Sequence, residues 1–136
     1  MASIRTEALI DASPEQVWDA VRDWGRLHER LVPGFATDAR VEGGARIVTF
    51  FTGTVLKEVI VSLDDDERRL AWSIVDGPYE HHHASAQVIE EAGGRARFVW
   101  VADVLPDATA GPTSEMMERG TQVVKETLEA SAAAAL

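Results

Sequence analysis

The chain contains no cysteine and no asparagine. Without thiols there are no disulfides, no thiolate nucleophile and no Cys-ligated zinc or iron–sulfur centre. Without asparagine there is no N-glycosylation acceptor, and any pocket has one amide hydrogen-bonding group fewer. Positive charge is scarce: 13 Lys and Arg against 23 Asp and Glu leave a net charge of −10, a sign that repels phosphate backbones and anionic lipid heads, so neither nucleic acid nor a membrane surface is an expected partner. No window approaches about 18 uncharged apolar residues, and the opening MASIRTEALIDASP has no basic region followed by a long apolar core. A soluble, cytoplasmic protein with no membrane insertion is expected. There is no G-x-S-x-G elbow, no G-x-x-x-x-G-K, no G-x-G-x-x-G and no H-E-x-x-H helix. Hydrolase, nucleotide and nicotinamide chemistry lose their usual signatures, and no cofactor is expected.

What is present is a period of two. In YEHHHASAQVI, His82, Ala84, Ala86 and Val88 share one face, while His81, His83, Ser85 and Gln87 share the other. His82 is thus a polar residue on an apolar face. LKEVIVSL likewise places Glu58 with Leu56 and Ile60, and LAWSIV places Trp72 with Leu70 and Ile74. A few polar groups on an apolar concave surface make a small-molecule pocket, and buried polar groups satisfied inside a filled core make the same pattern.

At 136 residues the chain fits one domain, residues 1–136, able to bury roughly two thirds of its unfolded surface. SIRTEALIDA reads as a strand with Ile4, Thr6, Ala8 and Ile10 on one side. ASPEQVWDAVRDW then reads as a helix: Ser13 is the N-cap, Pro14 takes the first helical position, and Gln16 completes a capping box. Gly25 breaks its apolar stripe of Val17, Ala20, Val21 and Trp24 before a second short helical piece, RLHERL, which stops at Pro33-Gly34. Strands are predicted near 37–42, 45–51, 54–63, 69–75, 81–90 and 95–105, punctuated by turns at Gly43-Gly44, Thr52-Gly53, Asp64–Asp66, Gly77-Pro78 and Gly93-Gly94. Connections this short favour antiparallel neighbours. After the run DATAGPTS, the segment SEMMERGTQVVKETLEA reads as a long helix with Ser114 as its cap and Met117, Gly120, Val124 and Leu128 on one stripe. The class is α+β: a curved seven-stranded antiparallel sheet wrapped around a long terminal helix, with two short helices after the first strand.

This order of elements resembles the START-like (SRPBCC) superfamily, the helix-grip fold of polyketide cyclases and the birch-pollen allergen, over essentially the whole chain. IDASPEQVWDAV is similar to its first strand-to-helix junction, KEVIVSLDDDERRLAWSIVDGP to its fourth and fifth strands, and RFVWVADVLPD to its seventh. The resemblance implies an apolar cavity for lipids, sterols, polyketides or other aromatic molecules, with catalysis in some members and only binding in others. The stretch from Glu58 to His83 also resembles the plant abscisic acid receptors, in which the positions of Glu58, Trp72 and His82 line a hormone pocket. Histidine stands here where those receptors have tyrosine, and TFFTGTVL does not match their gate loop, so hormone sensing is not carried over.

Candidate chemistry rests on single residues. Glu58 and His82 both face inward, with the strand of Trp72 between them and backbones about 10 Å apart. A carboxylate and an imidazole flanking one substrate suit proton abstraction and return in a polyketide cyclisation or dehydration, with His82 as base and Glu58 as partner acid. The other possibility is that they satisfy one another, a water or the backbone, and only orient a ligand. Phe98 and Trp100 on the last strand, Met116 and Met117 on the helix, and Val124 a turn or two further along offer apolar, aromatic and thioether surface for a flat ligand or for a core. Tyr79 and His81 sit near Gly77-Pro78 at a plausible cavity mouth. Gly120, costly inside a helix, marks either room for a ligand or close approach of helix to sheet. His81 and His83 share a face at a spacing that two zinc ligands can use, but no third ligand is evident and no metal site is expected. Trp18 and Trp24 are expected in helix packing and His28 at the surface. Two functions follow: binding or carriage of a hydrophobic small molecule by a monomer or weak homodimer, or a cyclase/dehydratase acting through Glu58 and His82.

Overall fold

The computed structural model describes all 136 residues. Strand β1 (Ala2–Ile10) leads into helix α1 (Pro14–Val21), and the junction is local chemistry. The Ser13 side chain accepts from the Gln16 backbone N–H at 3.1 Å, and the Gln16 side chain accepts from the Ser13 N–H at 3.0 Å, forming the expected capping box. A 3-10 turn at Trp24–Arg26 and a wider helical turn at Leu27–Leu31 follow. Six strands then run in succession: β2 (Ala36–Glu42), β3 (Ala45–Phe50), β4 (Val55–Asp64), β5 (Arg69–Val75), β6 (His81–Glu90) and β7 (Ala96–Leu105). All neighbours are antiparallel in the order β1-β7-β6-β5-β4-β3-β2, a meander closed on one side by the first strand. Irregularities in the pairing at Ala36/Asp38 and Ile60/Ser62 fall where the sheet coils, as extra residues bend and twist a strand.

The predicted alternation is the one observed. On β6, His82, Ala84, Ala86 and Val88 are buried while their sequence neighbours are not. On β7, Phe98, Ala102 and Val104 are buried and Trp100 packs half-buried beside them. Helix α2 (Ala110–Ala134) lies in the concave face with Met117, Gly120, Thr121, Val124 and Leu128 inward. It is held along β1 by a buried hydrogen bond of 2.8 Å between the hydroxyls of Thr6 and Thr121, and by Lys125, whose ammonium donates to the Leu9 carbonyl at 2.6 Å. This is the helix-grip α+β arrangement. No helix is long and apolar enough to cross a membrane.

One local expectation needs correction. Helix α2 starts at Ala110, not after Ser114, so Ser114 lies within the helix and does not cap it. A 3-10 turn at Asp107–Thr109 runs straight into it, with the Thr109 hydroxyl donating to the Pro106 carbonyl at 2.7 Å. Pro112 is tolerated because the first-turn N–H groups have no intrahelical partner to lose. SAAAAL continues the helix to Ala134.

Replacing Ser13 by Ala removes one half of the capping box. We expect a loss of about 1 kcal/mol in urea denaturation, with the fold retained.

Candidate ligand cavity

Between the sheet and α2 lie two adjacent spaces that share Phe35, Phe50, Glu58, Trp72 and Trp100 in their walls. The inner one is small, about 60 Å³, and is closed by Val21, Leu27, Leu31 and Val32 from the helical turns and by Phe98 and Val124. The outer one, about 260 Å³, is bounded by Leu56, Ile74, Tyr79, His82, Thr113, Met116 and Met117, with exposed Thr52, Thr54 and Pro78 at its rim. Of the residues singled out in the sequence, Glu58, Trp72, Tyr79, His82, Trp100, Met116 and Met117 therefore meet around the outer space, while Phe98 and Val124 line the inner one.

Gly120 lines neither space; it is where the helix touches their shared wall. A Cβ there would come within 2.9 Å of Trp100 Cζ3 and 3.3 Å of the Phe35 ring. Close approach, with side chains on the sheet side, accounts for the glycine, and the room it leaves is taken by Trp100 and Phe35.

Glu58 is paired with Arg46, not with His82. Arg46 Nε donates to Glu58 Oε1 at 2.8 Å, and both side chains are almost fully buried. The antiparallel register sets Arg46 directly opposite Glu58 on adjacent strands. Nη1 of Arg46 donates to the Trp24 carbonyl at 3.2 Å, and the guanidinium lies 3.8 Å from the centroid of the Trp24 ring and 5.9 Å from that of Trp72. Trp24, expected only in helix packing, is the platform on which the cation stacks. Arg46 was missed in the sequence, although a signal was there: Arg46, Val48 and Phe50 alternate on one face, so the arginine is a charge on an apolar strand face, as Glu58 is.

His82 is buried against Tyr79, the ring centroids 4.8 Å apart, and its Nδ1 has no hydrogen-bond partner. Burial, helped by the neighbouring His81 and His83, pushes its pKa down to about 4, so the imidazole is neutral at neutral pH. The Tyr79 and Thr113 hydroxyls share a hydrogen bond of 2.7 Å that ties the β5–β6 connection to α2. Trp72 and Trp100 meet at 6.4 Å with a tilt of 44°, and Trp100 Nε1 is also buried without a partner. On the opposite side of the mouth, Phe51 hydrogen-bonds through its N–H to the Phe35 carbonyl at 2.9 Å, and the Arg119 guanidinium lies 4.3 Å from the Phe51 ring centroid. His81 and His83 lie on the other face of β6 from His82, where no three histidine or acidic side chains converge. His28 is half-buried, not at the surface, with Nε2 3.5 Å from Glu29.

Two predictions follow from these charges. Arg46→Met and Glu58→Leu each strand a buried ion, so either alone should cost about 3–5 kcal/mol in urea denaturation, whereas the double variant should lie within about 2 kcal/mol of wild type. For His82, the unfolded chain takes up a proton near the ordinary pKa of 6.5 while the folded chain resists until about 4. Its contribution is therefore intact above pH 6.5 and is lost as the pH falls toward 4, by on the order of 3 kcal/mol. Stability measured across that window should flatten in His82→Phe relative to wild type.

A family model described as polyketide cyclase / dehydrase and lipid transport matches residues 1–135. No curated protein matches the sequence. Among solved structures, a Bacillus thuringiensis protein superposes with a TM-score of 0.83 at 20% identity, covering 93% of this chain and 98% of its own. A Thermobifida fusca protein gives a TM-score of 0.75 at 25% identity, with 96% and 91% covered. A START superfamily protein from Mycobacterium smegmatis gives 0.75 at 7% identity, with 98% and 99% covered, a likeness of fold alone. With the helix-grip architecture and the family match spanning nearly every residue, the chain belongs to the polyketide cyclase/dehydrase and lipid transport family.

Proposed function

We propose that this protein binds and carries a hydrophobic small molecule in the space between its sheet and α2. The observation that carries the reading is the outer chamber of about 260 Å³, walled by Trp72, Trp100, Met116, Met117 and Phe50, whose one acidic group is already neutralised by Arg46. Such a chamber offers contact area and few polar handles, as a binding site for an apolar molecule does. An engineered apolar cavity of about 150 Å³ accepts benzene, so this volume suits a molecule of one or two rings.

The test is native mass spectrometry of the purified protein, with identification of any co-purifying compound, together with uptake of the neutral, apolar two-ring dye diphenylhexatriene. Dye uptake by wild type, or a co-purifying compound that is reduced in His82→Phe, is the expected result. An empty wild type that also refuses the dye would overturn the reading.

A second reading, cyclase or dehydratase chemistry, is favoured by one observation: the unpartnered imidazole of His82 inside the chamber. A pKa near 4 leaves it correctly deprotonated at neutral pH but makes it a weak base, far from the value near 7 that serves proton transfer best. Glu58, held by Arg46, is not placed as a free acid. If His82 nevertheless acts as the base, His82→Gln should lower turnover of a polyketone substrate by about two to four orders of magnitude while binding persists. Equal loss of both would return the histidine to a binding role.

A further inference from the structure

The charges around the chamber narrow the class of molecule it holds. Glu58 is the sole formally charged side chain among the lining residues once His82 is neutral, and it is an anion. The one cation lining either space, Arg46, lines only the inner one and is already committed: Nε to Glu58, Nη1 to the Trp24 carbonyl, and one face to the Trp24 ring. A ligand carboxylate buried in the outer chamber would give up its water, meet a carboxylate and find no cation in the wall, because Arg119 stands outside it over the Phe51 ring. A ligand ammonium would find Glu58 already paired through Oε1 with Arg46, so it would stand as a second, uncompensated cation beside a buried guanidinium, which is costly. Both signs of charge are disfavoured.

Uncharged polar groups are in the opposite position. Two side chains in the chamber wall carry a buried polar nitrogen with no partner in the protein, His82 through Nδ1 and Trp100 through Nε1. Buried polar atoms left unsatisfied destabilise a fold, and proteins keep few of them. The indole N–H can only donate, whereas a neutral imidazole offers one accepting and one donating nitrogen. A hydroxyl both donates and accepts, so it complements this pair, and a carbonyl complements the donors. The flat surfaces of Trp72 and Trp100 and the thioethers of Met116 and Met117 suit the aromatic body of such a molecule.

Building on the binding reading above, we infer that the outer chamber holds an uncharged aromatic molecule of one or two rings bearing a hydroxyl or carbonyl group, and rejects its ionised carboxylate counterpart. His82 and Trp100 read the polar group, and the Arg46–Glu58 pair enforces the exclusion of charge.

The experiment is calorimetric titration at pH 7.5 of three probes of one shape: naphthalene, 2-naphthol and 2-naphthoate. Binding of 2-naphthol is expected about 25-fold tighter than that of naphthalene, the net worth of two hydrogen bonds. Its advantage over 2-naphthoate should be about a hundredfold or more, from the cost of burying an unpaired carboxylate. Trp100→Phe and His82→Phe, which keep a ring, should each weaken 2-naphthol by about fivefold and leave naphthalene within about twofold. Binding of 2-naphthoate as tight as that of 2-naphthol would overturn the exclusion of charge and mean that Arg46 leaves Glu58 for the ligand. Equal binding of 2-naphthol and naphthalene to wild type would overturn the role of the unpartnered nitrogens, whether or not the variants fold. Refusal of all three probes with diphenylhexatriene still taken up would overturn the assigned ligand class and leave the binding reading standing. Refusal of diphenylhexatriene as well would overturn both.

Discussion

The buried pair of Arg46 and Glu58 is the constraint around which the rest of the structure is arranged. Two ions removed from water each carry a desolvation penalty of several kcal/mol, recovered only where the geometry is good. That geometry draws on three separate parts of the chain. The β3–β4 register brings the two residues opposite one another, the turn after α1 supplies the Trp24 carbonyl, and the Trp24 ring covers the cation. A slip of one residue in β3 would turn Arg46, Val48 and Phe50 to the other face together, because side chains alternate strictly along a strand. The pair thus reports, and helps to specify, a single alignment of that half of the sheet. It also gives the cavity its electrical character, since Glu58 faces both spaces while Arg46 stands behind it in the inner one.

The opposite wall is set by how closely α2 can approach. Gly120 lets Trp100 and Phe35 press against the helix, and these two rings belong to the wall shared by the inner and outer spaces. The hydroxyl pair Thr6–Thr121 and the Lys125–Leu9 bond hold the helix to β1, at the edge of the sheet away from the mouth. Toward the mouth, the helix is met by Tyr79 through Thr113 and by Phe51 through Arg119. The cavity exists because the curved sheet touches the helix at one margin and at a few side chains, not along its whole length.

Much of this was legible in the sequence. The alternation in β6 marked His82 as an inward polar residue, the Ser13-Pro14-Gln16 signature located the start of α1, and the short turns implied an antiparallel meander. The reading went wrong where a local cue was overruled by its surroundings. Ser114 looked like a cap, yet the helix had already begun, because the turn after Pro106 feeds directly into it. Glu58 and His82 both face inward, but β5 separates their strands, whereas Arg46, the residue that reaches Glu58, sits directly opposite it on β3.

What the sequence by itself determined was the set of elements and which side of each faces inward. Periodicity, caps and turns depend on the stereochemistry of neighbouring residues, so they are written locally. Only the tertiary structure decided which inward residues meet. Arg46 and Glu58 are twelve residues apart, and Tyr79 and Thr113 are thirty-four apart; their contacts depend on strand register and on where a helix docks. The neutral state of His82, the unpartnered Trp100 nitrogen and the volume of the chamber are likewise properties of the surroundings. They arise from how completely other segments exclude water from a group, and no local pattern in the chain encodes that.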